Sequence, residues 1–488
     1  MPLPASINLL QTSITELSLL LDAGTITSVD LVGAYIDNIE KNNIAGLGLH
    51  AIIQVAPLDS VFQIAAVLDQ ERRDGAIRGP LHGIPILVKD NIATASELGM
   101  ATSAGNTALL ESVVSGEAEA IKRMRNAGAI ILAKTNLTEL SNFRGKGLPH
   151  GWSAVGGQTS SAYVQGGYAN GGDPIGSSSG SAVGISAGFG AIGLGTETFG
   201  SIVNAASRAA LYCVRPTTGL IPNEGTVPVS YTADTIGPMG FTSTDVAIVL
   251  DTLAQTDGKY LRAARVPTMA GLQIGLVRRN FLDEADGRSI LSQTDVDESI
   301  GAVYSAVTAM RQAGADINDV NMDINAADCD ELLSIQFAIW RTDIKEDMAE
   351  YLGRPKTSPV RTLAELVEWN LKHAAEELPP NAPNQDIFVQ ALNAPPRDSD
   401  EYRLLQARAA DIAVKRGLDL IFEEHKLDAA IFVTELGIPY GAAPLGNSKN
   451  GAPFGITFAV KPNEEEKLIS IMSEYESITP QRRIPDHM

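Results

Sequence analysis

Gly83-Ile84-Pro85-Ile86-Leu87-Val88-Lys89-Asp90-Asn91 decides the fold class. Ile84 to Val88 is a short run of aliphatic residues, the composition of a buried strand, and Lys89 stands at its end. Downstream, Ala118 to Ala127 carries a helical pattern closed by Gly128, and Ala129-Ile130-Ile131-Leu132-Ala133 makes a second buried strand. Strand, helix and strand in alternation predict an α/β chain. Upstream, residues 5–45 read as helical. Ser28 is the expected cap of a helix in which Leu31, Tyr35 and Ile39 share one face while Asp37 and Glu40 meet water.

From Gly145 to Gly200 glycine and serine dominate and charges are few. A flexible linker shares that composition. The segment also carries Trp152, Tyr163, Tyr168, Val183, Ile185, Phe189 and Ile192. Such residues predict a packed core in which glycines permit tight backbone approaches. Gly271 to Val277 and Ala429 to Val433 read as further strands. Ile300, Val303, Tyr304, Val307 and Met310 form a helical stripe ended by Gly314. Residues 330–410 read as a helical insertion or lid, interrupted at Pro379-Pro380 and Pro395-Pro396. The expected layout is one domain over 1–488: a helical part at 1–75, a core at 76–260, the insertion at 330–410 and a return to the core at 411–488.

The chain has 488 residues, 44% hydrophobic and 19% charged, which excludes disorder of the whole. With 37 basic and 58 acidic residues the formal charge is −21. That balance repels phosphate, so no nucleic-acid partner is expected. Two cysteines, Cys213 and Cys329, suit a reducing compartment. Met1 to Gln11 shows no secretory pattern and no run of 18 apolar residues occurs, so a cytoplasmic protein without a membrane partner is expected. The six histidines show no ligand spacing, so neither metal nor cofactor is expected. A homodimer is left open.

The glycine–serine block admits three readings. Gly188-Phe189-Gly190-Ala191-Ile192-Gly193 fits a dinucleotide-binding pattern, but a small-residue, helix-like stretch precedes it where a strand is required. Gly176-Ser177-Ser178-Ser179-Gly180 fits a nucleophile elbow with Ser178 as nucleophile, served by His373, His425 or His487, but its approach is turn-rich and not a strand. The third reading joins separate pieces: Lys89, Ser177, and Ser201 at the end of Gly195-Thr196-Glu197-Thr198-Phe199-Gly200-Ser201.

On this third reading the chain resembles the amidase signature family of serine hydrolases, and its fungal branch in particular. The resemblance lies in Gly83 to Asn91, Lys134-Thr135-Asn136, Gly176 to Ser181, and Gly195 to Ile202. Val214-Arg215-Pro216-Thr217-Thr218-Gly219 and Gly237-Pro238-Met239 extend it. The step of 24 residues from Ser177 to Ser201 is the family's step between two catalytic serines. The resemblance implies a mixed, twisted central sheet flanked by helices on both faces. It implies hydrolysis of a small-molecule carboxamide through a seryl acyl-enzyme. Ser201 would be the nucleophile, Ser177, in a cis peptide, the proton relay, and Lys89 the base. Backbone N–H groups of Thr198, Phe199, Gly200 and Ser201 would hold the oxyanion. Ser141, Asn142 and Phe143, with Trp152 and the 330–410 insertion, would line the substrate pocket.

Lysine can serve as base only when neutral. A free lysine is about 0.04% neutral at pH 7, and burial among residues such as Ile84–Val88 raises that fraction by lowering the pKa. Asp90 and Asn91 fit an orienting role, Ser178 and Ser179 turn formation, Lys134 a structural role, and Cys213 the core. Glu197 stands where the family pattern commonly has Asp, and Phe199 where it has Gly. Ser201-Ile202-Val203-Asn204-Ala205 departs from the common Ser-Ile-Arg-x-Pro. Phe resists dihedrals that Gly permits, so Phe199 either narrows the pocket or marks reduced activity. Rival readings are an amide-forming acyltransferase with the same triad, an amidase-like binding protein, and an amidotransferase subunit that delivers ammonia to an acyl-tRNA.

Overall fold

The computed structural model describes residues 3–4, 7–278, 293–432, 440–480 and 482–488. Its strands, in chain order, are β1 (Ile52–Val55), β2 (Pro85–Lys89), β3 (Ile130–Thr135), β4 (Trp152–Ser153), β5 (Gly157–Gln158), β6 (Ile192–Glu197), β7 (Tyr212–Arg215), β8 (Thr235–Gly240), β9 (Gln273–Val277), β10 (Asp316–Val320), β11 (Ala429–Phe432), β12 (Tyr440–Asn447) and β13 (Pro453–Ala459). Among the described residues, β4 and β5 pair with each other and the other eleven form one sheet in the order β1-β3-β2-β6-β8-β7-β12-β13-β11-β9-β10. The sheet is mixed: β3, β2 and β6 run parallel, as do β11, β9 and β10, and the strands between them alternate. Every residue of β2, β3, β6 and β8 is buried. A strand covered on both faces reads as a continuous apolar run, which is why Ile84–Val88 and Ala129–Ala133 were visible as strands. Val433, expected at the end of β11, lies outside the described residues.

Local chemistry sets the helix boundaries. The helix Ser28–Asn42 is capped one residue before the expected position: Thr27 is extended and its hydroxyl accepts from Asp30 N, while the Asp30 carboxylate accepts from Thr27 N. Ser28 is the first helical residue, and its N–H donates to Asp69. Leu31, Tyr35 and Ile39 are buried as expected. The helix Glu119–Asn126 ends before Gly128, whose φ is +89°. On the helix Gln293–Gln312, Val303, Val307 and Met310 are buried, whereas Tyr304 is exposed, with Arg278 over its ring.

The helix Ser179–Ser186 is buried along its whole length and lies against β2 and β6. Its small residues allow that approach. A Cβ on Gly180 would stand 2.5 Å from Asn136 N and closer still to the carbonyl oxygens of Ala51 and Asn136.

The helices between Ala326 and Ala410 build a second core. Trp340, Ile344, Met348, Leu366 and Phe388 pack with Leu137, Leu140, Phe143, Val227 and Val229. A buried polar clasp reinforces the junction. Arg144 donates to Glu139 Oε1 (2.8 Å) and to the carbonyls of Glu377, Ala382 (2.6 Å) and Asn384 (3.1 Å). The Glu377 carboxylate accepts from Asn106 Nδ2 (2.8 Å) and Thr107 N (2.7 Å). Burial and the neighbouring Glu377 push the Glu139 carboxyl up to about 8, against the pull of Arg144. No helix among the described residues is long and apolar enough to cross a membrane.

Gly180→Ala overpacks the contact with the backbone of Ala51 and Asn136 and is expected to cost about 1–3 kcal/mol, seen as a lowered thermal midpoint in scanning fluorimetry. Gly301→Ala, which meets open space within the helix Gln293–Gln312, is expected to leave the midpoint unchanged or raise it.

Candidate active site

The parallel register aligns the carboxyl ends of β2, β3 and β6. Val88 pairs with Leu194 on one side, and Lys89 with Thr135 on the other. In open α/β sheets ligands bind beyond such strand ends. Lys89 is fully buried there, with Nζ 2.8 Å from Ser177 Oγ and 3.1 Å from the Thr196 carbonyl. Burial drives its amine down to about 7, against the opposing pull of the Asp234 and Glu197 carboxylates.

Ser177 follows a cis peptide bond after Gly176. Its carbonyl accepts from Thr138 N (3.1 Å), and the next N–H, that of Ser178, donates to the Ser201 carbonyl (3.0 Å). The two serine segments are thereby bonded to each other. Ser178 Oγ is committed to the backbone of β6: it donates to Thr196 O (3.1 Å) and accepts from Thr196 N (3.3 Å). No strand leads into Ser178, His425 and His487 are exposed, and His373 stacks on Trp369. The elbow reading therefore fails on geometry. The glycine pattern from Gly188 to Gly193 joins a helix to β6 and so lacks the strand–turn–helix order of a dinucleotide site.

Glu197 organises the loop that carries Ser201. Its Oε2 accepts from Ile202 N (2.7 Å) and Val203 N (3.2 Å), capping the helix Val203–Ser207. Its Oε1 meets the Tyr440 hydroxyl and lies 3.5 Å from Arg215 Nε. Thr198 Oγ1 donates to Asp234 Oδ1. The N–H groups of Phe199, Gly200 and Ser201 donate to no acceptor among the described residues. The left-handed residue of this loop is Gly200, with φ +73°, and Phe199 is not among the residues of positive φ. The phenylalanine thus takes the family's usual glycine position without left-handed strain. Its ring lies 5.7 Å from that of Trp340, which also contacts Phe143 (5.4 Å) and Phe337 (5.4 Å).

The expected pocket residues divide. Phe143 joins this aromatic cluster. Ser141 is buried with Oγ 3.4 Å from Asn91 Nδ2, and Asn142 is exposed. Leu140, Ser141 and Asn142 all have positive φ, +48°, +57° and +72°, a run of strained backbone beside Asn91. Trp152 goes elsewhere: it packs with Leu148 and Ala382, with Arg144 over its ring. Asp90 accepts from the N–H groups of Ser103 and Gly105, fixing the loop after β2, and Asn91 donates to Thr196 Oγ1 (2.9 Å). Lys134 is buried against Ile92 O and Thr102 Oγ1, and Cys213 is buried in the core. Asp234, Phe337 and Trp340 were not foreseen. The sequence signal for Asp234 was its place just before Gly237-Pro238-Met239, whereas nothing local marks the two rings.

A family model described as Amidase matches residues 30–437. The chain is 30% identical to a probable amidase of Arabidopsis thaliana, over 99% of this chain and 93% of that one. It is also 30% identical to an amidase-named protein of Schizosaccharomyces pombe, over 98% and 87%. The solved structure of native peptide amidase from Stenotrophomonas maltophilia superposes with a TM-score of 0.88 at 31% identity, covering 100% of both chains. With a matching model across most of its length, and the same fold as a solved amidase, the chain belongs to the amidase family.

Proposed function

We propose that the chain hydrolyses the carbon–nitrogen bond of a linear carboxamide through an acyl-enzyme on Ser201, with Ser177 as relay and Lys89 as base. The observation that carries the reading is the 2.8 Å contact between Lys89 Nζ and Ser177 Oγ, made by a lysine that touches no carboxylate among the described residues. An amine lowered to about 7 is a competent base at neutral pH. Ser177 gives its proton to Lys89 and takes the proton of Ser201 as Ser201 Oγ bonds to the acyl carbon. The carbonyl oxygen becomes an oxyanion, and the N–H groups of Phe199, Gly200 and Ser201, joined by Thr198, are available to it. Collapse breaks the C–N bond, and Ser177 returns a proton to the leaving amine. Water, deprotonated by the same relay, then frees the acid and Ser201.

The substrate in this reading is a small amide, and amidated peptides belong to the class because the chain is similar to a peptide amidase. Phe143, Phe199, Phe337 and Trp340 would face its acyl side. The setting is a cytoplasm, in keeping with the sparse cysteines. The acidic balance keeps nucleic acid out of the reading.

A fluorophosphonate is expected to add once to the wild type by intact mass, with the adduct lost in Ser201→Ala and kept in Ser178→Ala. An adduct lost only in Ser178→Ala would overturn the assignment. Lys89→Ala is expected to lower kcat by about 10²- to 10⁴-fold with little change in thermal midpoint.

Protonation of Lys89 removes the base, so kcat/KM is expected to be level above about pH 7 and to fall as the pH drops below it. Rate measurements on a chromogenic anilide across pH 5–9 (a range of roughly two units either side of the lysine, wide enough to define the limb) check this. A profile flat through neutrality would exclude Lys89 as the titrating base.

A further inference from the structure

We propose that Asp234 is a positioning residue for this hydrolysis, its carboxylate holding the oxyanion loop at Thr198 against a turn that the helical insertion keeps rigid. The inference rests on the reading of Ser201, Ser177 and Lys89 given above.

The sheet register creates the contact. β6 and β8 are antiparallel with Glu197 opposite Thr235, so the next residues outward, Thr198 and Asp234, face each other. Thr198 Oγ1 donates to Asp234 Oδ1. The other oxygen, Oδ2, accepts from Val229 N (2.9 Å) and Ser230 N (3.0 Å). The turn is fixed from behind: Ser230 Oγ donates to Asp343 Oδ2 (2.6 Å), Tyr231 N donates to Asp347 Oδ2 (2.8 Å), and Arg397 spans both acids at 3.0 and 2.7 Å. Asp234 is therefore the only described bridge between that turn and the side chain of Thr198.

Three donors converge on the two oxygens of the ionised side chain. In Asp234→Asn the amide oxygen can still accept from Val229 N and Ser230 N, but the NH₂ group faces Thr198 Oγ1, so the bond to Thr198 is reversed and the charge is lost. The charge also acts on the site. Asp234 and Glu197 are the anions that favour the charged form of Lys89. The other charged groups around Asp234 are Arg215, which donates to the Ala233 carbonyl (2.8 Å), and Asp343, Asp347 and Arg397 behind the turn. Removing the negative charge of Asp234 destabilises the Lys89 ammonium, so the base becomes neutral at lower pH.

The test follows kcat, KM and the pH profile of anilide hydrolysis by the full chain as wild type, Asp234→Asn, Thr198→Val and Thr198→Ser, with fluorophosphonate labelling and thermal melts of each. Asp234→Asn is expected to lose about 10²-fold in kcat, with KM within about threefold, and to shift its acid limb to lower pH. Thr198→Val is expected to lower kcat by about tenfold or more without moving the limb, and Thr198→Ser to recover most of that loss. An Asp234→Asn enzyme with an unmoved limb, or with kcat within about threefold of wild type, overturns the proposal. If Asp234→Asn fails to fold, Thr198→Val decides: an unchanged kcat overturns it. Wild type that hydrolyses the anilide without labelling at Ser201 overturns the underlying mechanism, a failure visible before any variant is compared.

Discussion

A lysine amine without a carboxylate in contact, sealed at the end of a buried strand, is the constraint around which the rest of the site is built. Among the described residues, Nζ of Lys89 touches only neutral oxygens, those of Ser177 and Thr196. In that setting the ammonium loses its hydration and gains little in return, so the neutral form is favoured. Two anions, Asp234 and Glu197, stand near enough to moderate the effect, and each already has a backbone task. Glu197 caps the helix that follows Ser201, and Asp234 ties Thr198 to the turn at 229–230. The charges that tune the Lys89 amine are the same groups that shape the loop beside it.

The glycine–serine block shows how such a site is made rigid without bulky side chains. Ser178 and Ser181 bond to the carbonyls of Thr196 and Leu194, so the helix Ser179–Ser186 is fastened to β6 by hydroxyls. Glycines at the contact let main chains meet directly. Rigidity here comes from satisfied backbone groups at short range, a cheaper arrangement entropically than ordering long side chains.

Much of this was legible because it is local. Buried parallel strands write themselves as aliphatic runs, and Lys89, Ser177 and Ser201 sit in ordered motifs within one segment. What stayed hidden depends on pairing between segments. The meeting of Thr198 with Asp234 follows from the register of β6 against β8, which no spacing reveals. The rings of Trp340 and Phe337 reach Phe199 and Phe143 from a helix far along the chain. Phe199 looked like a backbone conflict only because one residue was read alone; Gly200 carries the left-handed turn. Tyr304 fitted an apolar stripe by period, yet a ring that can lie under Arg278 is stable at the solvent edge.

The clasp formed by Glu139, Arg144 and Glu377 has a consequence for how the protein answers to alkali. Two buried acids share one guanidinium, and the raised affinity of Glu139 for its proton is a property of the folded chain alone. A carboxyl raised in this way contributes stability in full below its unfolded value, and loses that contribution as pH rises through about 8. That loss begins at the unfolded value and is complete by about 8, so the junction between the sheet and the helices that supply Trp340 weakens across the same interval in which Lys89 sheds its proton. If Lys89 is the base, as proposed, catalysis gains from higher pH while the scaffold around the aromatic cluster loses by it. On the proposed reading, a buried amine and a buried acid in one fold thus give activity and stability opposite trends with pH.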